Sequence, residues 1–484
     1  MENHISLLTT IETQSPYDFN IYLTNKTEDI IIVSDFHIAE GRDNSGNFNG
    51  TENFMTDNVF VRFVDSLDMA NKTPKILVIN GDFIDFLRVR SVPDSEQDFK
   101  NWQKALVKVG IEKSIQDLQD AIDKKERTYG LKTTDYKTIW KLLKCRTGHP
   151  ELFDRLAQWL FDGNQVVIIK GNHDLEWYWM NVRHYLRALL AEEMTNQNDI
   201  TIEEAYEKHM TDKIYFLDSA LIVNDQIYIE HGHQYERMTK VIGNPTLKKD
   251  PYELNLPFGS FFNRYLINRI ELAYPYVDNI RPREKILPML FRERFPLAVE
   301  TLFRHLWLTI ITIQKNYYYY FFKHLAVALL VIGLPVGVVI WLFMSHVHLS
   351  SSGGAAGTFM SIIQKLSILI LSYFLGRLSS ILGFSVAGLS EFAQNIIKDN
   401  PQYKFVVFGH THNAEQKQWD GHWYFNTGSW IPLFEWTSAS VKLEIIYAYL
   451  QFTFDKKTGE YVPHFQRWNA NSNQADSLTL ITST

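Results

Sequence analysis

Short apolar runs that end in polar clusters recur in the first half of the chain and again after residue 400. The first half contains DIIIVSDFH, KILVINGDFIDF and QVVIIKGNHD, followed by KIYFLD, ALIV and QIYIEHGH. The pattern returns as YKFVVFGHTH, HWYFNTGSW and the alternating KLEIIYAYLQFTFD. Such runs of β-branched and aromatic residues predict buried strands, with polar loops at their C-terminal ends.

Helical spacing separates the second of these runs from the third. From about residue 102 to residue 159, charged residues alternate with apolar ones, and NWQKALVKVGIEKSIQDLQDAI places its apolar residues near helical spacing. This stretch predicts a helix that packs against the core. Strands that alternate with helices in this way predict a mixed α/β fold.

The composition changes at Pro257 and becomes strongly apolar further on. PFGSFFNRYLINRIELAYPYV and MLFRERFPLAVETLFRHLWLTIITI are rich in aromatic residues and arginine. They predict either amphipathic helices on a membrane surface or a helical cap with a buried face. Residues 325–344 carry no charge and are long enough to cross a hydrocarbon layer of ~30 Å as a helix. A second apolar stretch, 366–389, is interrupted by Arg377.

We predict that these two stretches span a membrane. The alternative is a hydrophobic hairpin that dips into one leaflet or packs in a dimer interface. Basic residues before the first stretch, including Arg292 and Arg294, predict by the positive-inside rule that the catalytic domain is cytoplasmic, at an inner or plasma membrane. The N-terminus lacks the pattern of a secretory signal peptide, which agrees with this location.

The domain organisation follows from these changes in pattern. The 484 residues correspond to about three ordinary domains, or to one large domain with insertions. The chain is predicted to begin with a first part of the catalytic domain at 1–256, followed by a helical and transmembrane insertion at 257–400. A second part of the catalytic domain at 401–470 and a flexible tail at 471–484 follow.

Composition excludes several classes of function. Apolar residues make up 45% of the chain and charged residues 21%, so the chain is folded and not disordered. The net charge is −7 and no block of basic residues stands out, so we expect no nucleic-acid partner. Cys145 is the only cysteine, which rules out an internal disulfide and a structural cysteine metal site.

Five polar clusters carry the candidate chemistry, and each follows a predicted strand. They contain Asp35 and His37; Asp82; Asn172, His173 and Asp174; His231; and His410 and His412. Any one cluster alone is explained by an ordinary turn or a surface histidine. Together, in this order, oxygen donors mixed with imidazoles predict a site for manganese, iron or zinc. Two such ions fit if one carboxylate bridges them.

The ordered set DxH, GD, GNHD, HGH and GHTH resembles the calcineurin-like metallophosphoesterases, over about residues 29–454. The resemblance implies a two-sheet β-sandwich flanked by helices, with two divalent metal ions, manganese being expected and iron or zinc possible. It implies a first metal held by Asp35, His37, Asp82 and His412, and a second held by Asn172, His231 and His410, with Asp82 bridging.

The resemblance also implies the reaction. His173 would protonate the leaving oxygen or stabilise the transition state, and Asp174 would orient His173. Asp85 would have a supporting role and would not bind metal. The reaction would be hydrolysis of a phosphoester or pyrophosphate bond without a phospho-enzyme. The membrane-associated UDP-diacylglucosamine hydrolases are distantly similar, but they carry arginine at the position of His173.

Three functions therefore remain open on the sequence. The first is a membrane-anchored dinuclear phosphoesterase acting on an amphiphilic or lipid-linked substrate beside a lipid bilayer. The second is a tethered phosphatase of soluble phosphoesters, and the third is a non-catalytic membrane scaffold that retains the fold. His233, in the HGH motif, could contact substrate or metal, or it could be a solvated loop residue.

Overall fold

The structure is a computed structural model, and it describes most of the chain. The described residues are 18–24, 26–43, 45–70, 73–274, 277–281, 286–305, 307, 322, 388–436 and 441–478. The chain divides into two compact units, Met1–Ile311 together with Leu389–Thr484, and Thr312–Gly388. Nearly all of the second unit lies outside the described residues, so the fold below is that of the first.

Fifteen strands occur in the described part of the chain, and most coincide with the apolar runs of the sequence. They are β1 Asp18–Thr24, β2 Asp29–Val33, β3 Lys75–Asn80, β4 Gln165–Ile169, β5 Ile214–Val223, β6 Ile227–Glu230, β7 Ile280–Arg281, β8 Phe405–Phe408, β9 Ala414–Trp419, β10 His422–Thr427, β11 Leu433–Trp436, β12 Val441–Glu444, β13 Ala448–Asp455, β14 Glu460–Asn469 and β15 Gln474–Ser477.

Twelve of these strands form one sheet, in the order β15-β14-β13-β2-β3-β4-β5-β6-β8-β10-β9, with β1 added beside β5. Strands β2 to β5 are parallel, and β6 runs antiparallel to β5. Strand β8 is parallel to β6. A separate three-stranded sheet has the order β12-β11-β7.

The described α-helices are short. They are α1 Asp57–Ala70, α2 Glu96–Val107, α3 Ile115–Asp120, α4 Glu126–Tyr129, α5 Asp135–Gly148, α6 Pro150–Phe161, α7 Met180–Gln197, α8 Ile202–His209, α9 Phe258–Phe262, α10 Asn268–Glu271, α11 Ile286–Glu293, α12 Phe295–Glu300 and α13 Leu389–Asp399. Ser95 and Ser114 begin α2 and α3 with capping boxes, which explains why the predicted single helix here is two.

The two faces of the large sheet bury different cores. Alternate residues of β2, such as Ile31 and Val33, pack against helices on one face, while Ile30 and Ile32 belong to a second core. In that second core, Phe405 of β8 lies 5.0 Å from Phe452 of β13, measured between ring centroids. Distant strands of the same sheet therefore face each other, because the sheet curls.

The predicted two-sheet sandwich is wrong in its connectivity. Hydrogen bonds run without interruption from β15 to β9, so the large layer is one curled sheet. The reason lies in β5, whose first half pairs with β4 and whose second half pairs with β6. Because β5 has ten residues and pairs with a different strand along each half, it joins strands that would otherwise form two separate sheets. The mixed α/β character is as predicted.

The predicted transmembrane insertion is also corrected. Every helix in the described residues is too short or too polar to cross a bilayer. The longest, α7, has 18 residues and includes Arg183, Arg187 and Glu193. The predicted spans at 325–344 and 366–389 lie outside the described residues, except for Gly388 and Leu389, the second of which begins α13. Membrane anchoring, and the inner or plasma membrane location inferred from it, therefore find no support in the described helices.

Two further predicted segments can be compared with the structure. After Pro257, residues 258–271 bury polar side chains against the rest of the unit, as a helical cap does, which is one of the two alternatives predicted for this region. Arg264 donates to the carbonyl oxygen of Gly130 at 2.9 Å, and Asn268 donates to that of Leu87 at 2.7 Å. In the predicted tail, residues 474–477 form β15, which pairs with β14.

Candidate metal centre

The loops that carry the candidate residues meet at the middle of β5. Ile169, at the end of β4, pairs with Leu217, and Glu230, at the end of β6, pairs with Ala220. The C-terminal ends of β4 and β6 therefore lie three residues apart on the same strand. Strands β2 and β3 lie on the β4 side, and β8 lies beside β6, so five polar loops converge here.

Backbone hydrogen bonds tie these loops to one another. The amide of His37 donates to the carbonyl oxygen of Asp82 at 2.9 Å. The amide of Gly409 donates to the carbonyl oxygen of His231 at 3.1 Å. The amide of His410 donates to Asp35 Oδ2 at 3.0 Å. The two halves of the site, far apart along the chain, are therefore fixed to each other by main-chain contacts.

Five of the seven predicted metal ligands have left-handed backbone conformations. Their φ angles are 56° for Asp35, 49° for His37, 52° for Asp82, 71° for His410 and 61° for His412. Residues other than glycine rarely adopt such angles, and each costs of order 1–3 kcal/mol. The strained residues are the same residues whose side chains come together in the donor groups, directly after their strands.

A first group of donors consists of Asp35, His37 and His412. The Nε2 atoms of His37 and His412 are 3.0 Å apart, and His412 Nε2 lies 3.4 Å from Asp35 Oδ1. His37 Nε2 also lies 3.7 Å from Asp82 Oδ2. Asp82 is therefore within reach of this group as well.

A second group consists of Asp82, His231 and His410. His231 Nε2 lies 3.2 Å from Asp82 Oδ2, while its Nδ1 lies 2.8 Å from the carbonyl oxygen of Asn80. The carbonyl holds the Nδ1 proton and leaves Nε2 as the donor atom, which is how imidazole ligands are commonly oriented. Asp82 thus belongs to the second group, and its Oδ2 lies 3.7 Å from His37 Nε2 of the first, between the two groups.

Two buried oxygen atoms support a bound cation on physical grounds. Asp35 Oδ1 and Asn172 Oδ1 are buried and have no hydrogen-bond partner among the described residues. A buried polar atom without a partner costs about 1–3 kcal/mol, so native structures seldom leave one unpaired. Both atoms belong to predicted ligands, and the buried histidines and aspartates around them could hold a metal ion. The residues present therefore fit the expected cofactor.

The electrostatics of the site are those of a cation-binding pocket. Burial alone would lower the pKa of His37, but the neighbouring carboxylates of Asp35 and Asp85 outweigh it and raise the pKa to about 10. Burial also lowers the pKa of His231, but the nearby carboxylate of Asp82 outweighs it and raises that pKa to about 9. Burial would raise the pKa of Asp82, yet His231 and His173 hold it well below its usual range. The carboxylates therefore attract positive charge to this pocket.

His173 lies beside the ligands but takes its orientation from Asp85. Its Nδ1 is 2.7 Å from Asp85 Oδ2, and its side chain is 14% exposed, so the other edge of the ring is accessible. Burial lowers the pKa of His173, but Asp85 and Asp82 outweigh it and raise the pKa. His173 also forms a compact group with His37 and Asp82, which places it at the predicted first metal.

The predicted orienting role of Asp174 is therefore corrected. Its carboxylate accepts hydrogen bonds from the amide of Phe83 at 2.9 Å, the amide of Gly171 at 2.6 Å and the indole of Trp177 at 3.0 Å. These donors occupy both oxygens of Asp174 and hold the loop after β4 against the loop after β3. The carboxylate that lies against His173 Nδ1 is that of Asp85 and not, as predicted, that of Asp174.

Further polar residues complete the surroundings. Glu236 Oε2 lies 3.2 Å from His410 Nε2, and no pattern in the sequence indicated it. The ring of His233 lies 5.4 Å from that of His231, and burial, His231 and His410 keep the pKa of His233 well below its usual value. Asn426, in NTGSW, donates to the carbonyl oxygen of Gly409 at 2.6 Å and so supports the GHTH loop.

Comparison with known proteins adds no further assignment. No protein-family model matches the chain, and no curated protein is significantly similar to it. The conclusions about this site therefore depend on its own geometry and on the motif order in the sequence.

Proposed function

We propose that the protein is a metal-dependent hydrolase of phosphoester or pyrophosphate bonds, with two divalent ions as its cofactor and manganese as the expected metal. The observation that carries this proposal is the position of Asp82: it belongs to the second donor group and also forms a compact group with His37, a member of the first. His173, whose side chain is 14% exposed, lies beside it. A shared carboxylate between two sets of imidazoles is the arrangement that a dinuclear centre requires.

The ligands would be those of the two groups. Asp35, His37 and His412 would hold the first ion, Asn172, His231 and His410 the second, and Asp82 would bridge them. When bound, the ions would supply charge neutralisation for the phosphate and a lowered pKa for water, as two-metal sites do. Resemblance to the calcineurin-like metallophosphoesterases supports this reading of the residues.

His173 would act as the general acid. Asp85 holds Nδ1, so Nε2 is the nitrogen that can deliver a proton to the oxygen of the leaving group. The imidazole is at the edge of the donor groups and remains accessible, so a phosphate placed between the ions would reach it. His173 also lies near enough to stabilise negative charge on that phosphate.

The alternatives are separable by experiment. The described helices give no support for a membrane anchor, so phosphomonoesters, phosphodiesters and pyrophosphates are the classes to compare first. A non-catalytic scaffold would retain the fold without turnover. Retention of all seven predicted ligands favours an enzyme.

The test is hydrolysis of these three classes by purified protein that has been stripped of metal and reloaded with manganese, iron or zinc. We expect turnover of at least one class, lost on chelation and restored by metal. The proposal fails if the reloaded wild type binds metal, as measured by mass spectrometry, but hydrolyses none of the panel.

Two variants separate metal binding from proton transfer. Asp82→Asn should lower both metal content and turnover, because it weakens the shared ligand. His173→Gln should retain the metal and lower kcat by roughly 100-fold or more. Equal metal loss in both variants would contradict the role given to His173.

A further inference from the structure

A chain of buried charged side chains leads from His173 to the helical region after Pro257. Asp85 Oδ2, which contacts His173 Nδ1, also accepts a hydrogen bond from Arg88 Nε at 3.0 Å. Arg88 Nη1 in turn contacts Glu271 Oε2 at the end of α10. The side chains of Asp85, Arg88 and Glu271 are each no more than 1% exposed.

Burial of three charges needs an explanation beyond stability. Desolvation of an ion costs several kcal/mol, and apolar residues of similar size often stabilise a core equally well. Here the three charged side chains form a chain of contacts that ends at His173, the general acid of the proposed reaction. Asp85 Oδ2 is shared, because His173 and Arg88 both bind it and His37 Nδ1 lies 3.4 Å away.

How strongly Asp85 Oδ2 can bind His173 depends on how Arg88 binds the same carboxylate. A guanidinium can bind both oxygens of one carboxylate in a fork, and this is its preferred geometry. On the Nη1 side Arg88 contacts Glu271 and the carbonyl oxygen of Thr51, while its Nε donates to Asp85 Oδ2. Without the charged partner Glu271, Arg88 could rotate onto both oxygens of Asp85 and draw Oδ2 away from His173.

We propose that Glu271 and Arg88 are positioning residues for His173. This inference rests on the proposed function. Glu271 fixes Arg88, Arg88 fixes Asp85, and Asp85 fixes the imidazole with Nε2 free for the leaving group. The same helix is anchored to the same loop by Asn268, which donates to the carbonyl oxygen of Leu87, so the helical region stabilises the loop that carries Asp85.

The kinetic test uses the dependence on the leaving group. A misplaced general acid slows esters with poor leaving groups, such as phenyl phosphate, more than activated esters, such as 4-nitrophenyl phosphate. Glu271→Gln should therefore lower kcat for the phenyl ester roughly 10-fold and leave KM and the nitrophenyl ester nearly unchanged. An equal loss on both esters would show a merely structural role and overturn the proposal.

Glu126→Gln is the matched control. Glu126 is also a buried carboxylate paired with a buried cation, since its Oε1 lies 2.6 Å from Lys137 Nζ, but its hydrogen bonds with other described residues stay within residues 123–137, away from the site loops. It should cost stability without a difference between the two esters. If Glu271→Gln does not fold, Arg88→Lys keeps the positive charge but lacks the fork, and it should show the same difference.

A second readout is independent of activity. In metal-free protein labelled with ¹⁵N at histidine, the hydrogen-bonded Nδ1 proton of His173 should give a downfield resonance, identified by its loss in His173→Gln. It should weaken or move upfield in Glu271→Gln and stay in place in Glu126→Gln. An unchanged resonance in Glu271→Gln would overturn the proposal. Failure of the wild type to hydrolyse any ester would instead reject the proposed function and leave this measurement interpretable.

Discussion

At the scale of single residues, close packing around the ligands leaves no room for additional atoms. A Cβ atom at Gly171 would lie 2.1 Å from Asp82 Oδ1, and one at Gly81 would lie 2.2 Å from His231 Nδ1. Neither distance is compatible with unmoved neighbours. Glycine is therefore required at these two positions because any side chain would displace a ligand, as well as for the backbone conformation of the turn.

Gly171→Ala should consequently lower both metal occupancy and stability. Gly171 does not have a positive φ, so the added methyl group acts through its collisions with the carboxylate and the backbone nitrogen of Asp82, at 2.1 Å and 2.5 Å. Metal content by mass spectrometry and the midpoint of thermal unfolding measure the two effects. Gly50→Ala is the control, because its Cβ would meet nothing closer than 3.7 Å. Equal occupancy in the two variants would contradict this account.

Asp85 and Asp174 should differ in what their loss affects. Asp85→Asn should lower kcat by roughly 10–100-fold, because it weakens the hold on His173. Asp174→Asn should mainly lower the free energy of unfolding, by about 1–3 kcal/mol, because buried amides and an indole lose an acceptor. Steady-state kinetics and denaturant unfolding check both. The reverse pattern would restore Asp174 as the orienting residue.

At the scale of elements, one histidine holds the loop after the first ligand cluster. His149, between α5 and α6, has Nε2 at 3.0 Å from Glu52 Oε2 and Nδ1 at 2.8 Å from Asp57 Oδ1. Glu52 also accepts hydrogen bonds from the amides of Ala39 and Gly41, so the loop is tied to two helices. The buried imidazole links elements that no sequence pattern had related.

This link should make stability depend on pH in the alkaline range. Burial lowers the pKa of His149, but Glu52 and Asp57 outweigh it and raise the pKa to about 10. A raised pKa in the folded state means that the stabilisation is complete below the unfolded pKa of about 6.5 and is lost as the pH rises toward 10. The free energy of unfolding should fall by about 1.4 kcal/mol per pH unit between these values.

Denaturant unfolding at pH 7 to 10 checks this, with His149→Gln as the comparison. The variant should be less stable at pH 7 and should lose the part of the slope that comes from this histidine. If the free energy of unfolding changes with pH in the same way for wild type and variant, His149 is not protonated in the folded protein. The residues in question do not contact the predicted metal ligands, so the measurement is possible with or without metal.

At the scale of the whole molecule, the site exists only when distant parts of the chain have paired. The predicted ligands extend from Asp35 to His412. The pairing of β6 with β8 places His410 beside His231, while His412 lies beside His37. Metal should therefore bind the folded chain far better than the unfolded one.

Chelation should accordingly lower the midpoint of thermal unfolding. Metal at 100 times its dissociation constant stabilises the fold by about 2.7 kcal/mol, and chelator removes that contribution. Calorimetry with and without chelator measures the change, and Asp82→Asn should show a much smaller one. A midpoint that is insensitive to chelator in the wild type would argue against metal at this site.

Much of the architecture could be predicted from local pattern alone. The apolar runs before Asp35, Asp82, Asn172, His231 and His410 are strands, because runs of β-branched residues bury both faces of a central sheet. The convergence of the polar clusters followed from their position after the strands. The break between β12 and β13, where Tyr447 has a φ of 50°, could not be predicted from the alternation of KLEIIYAYLQFTFD.

The sequence by itself determined which residue types meet, because strands and the motifs that follow them are local. Only the tertiary structure decided their partners. Asp85 rather than Asp174 holds His173, one curled sheet replaces two, and Glu271 reaches Arg88 from 183 residues away. Hydrogen-bond partners and strand neighbours depend on distances in space, which no spacing along the chain encodes.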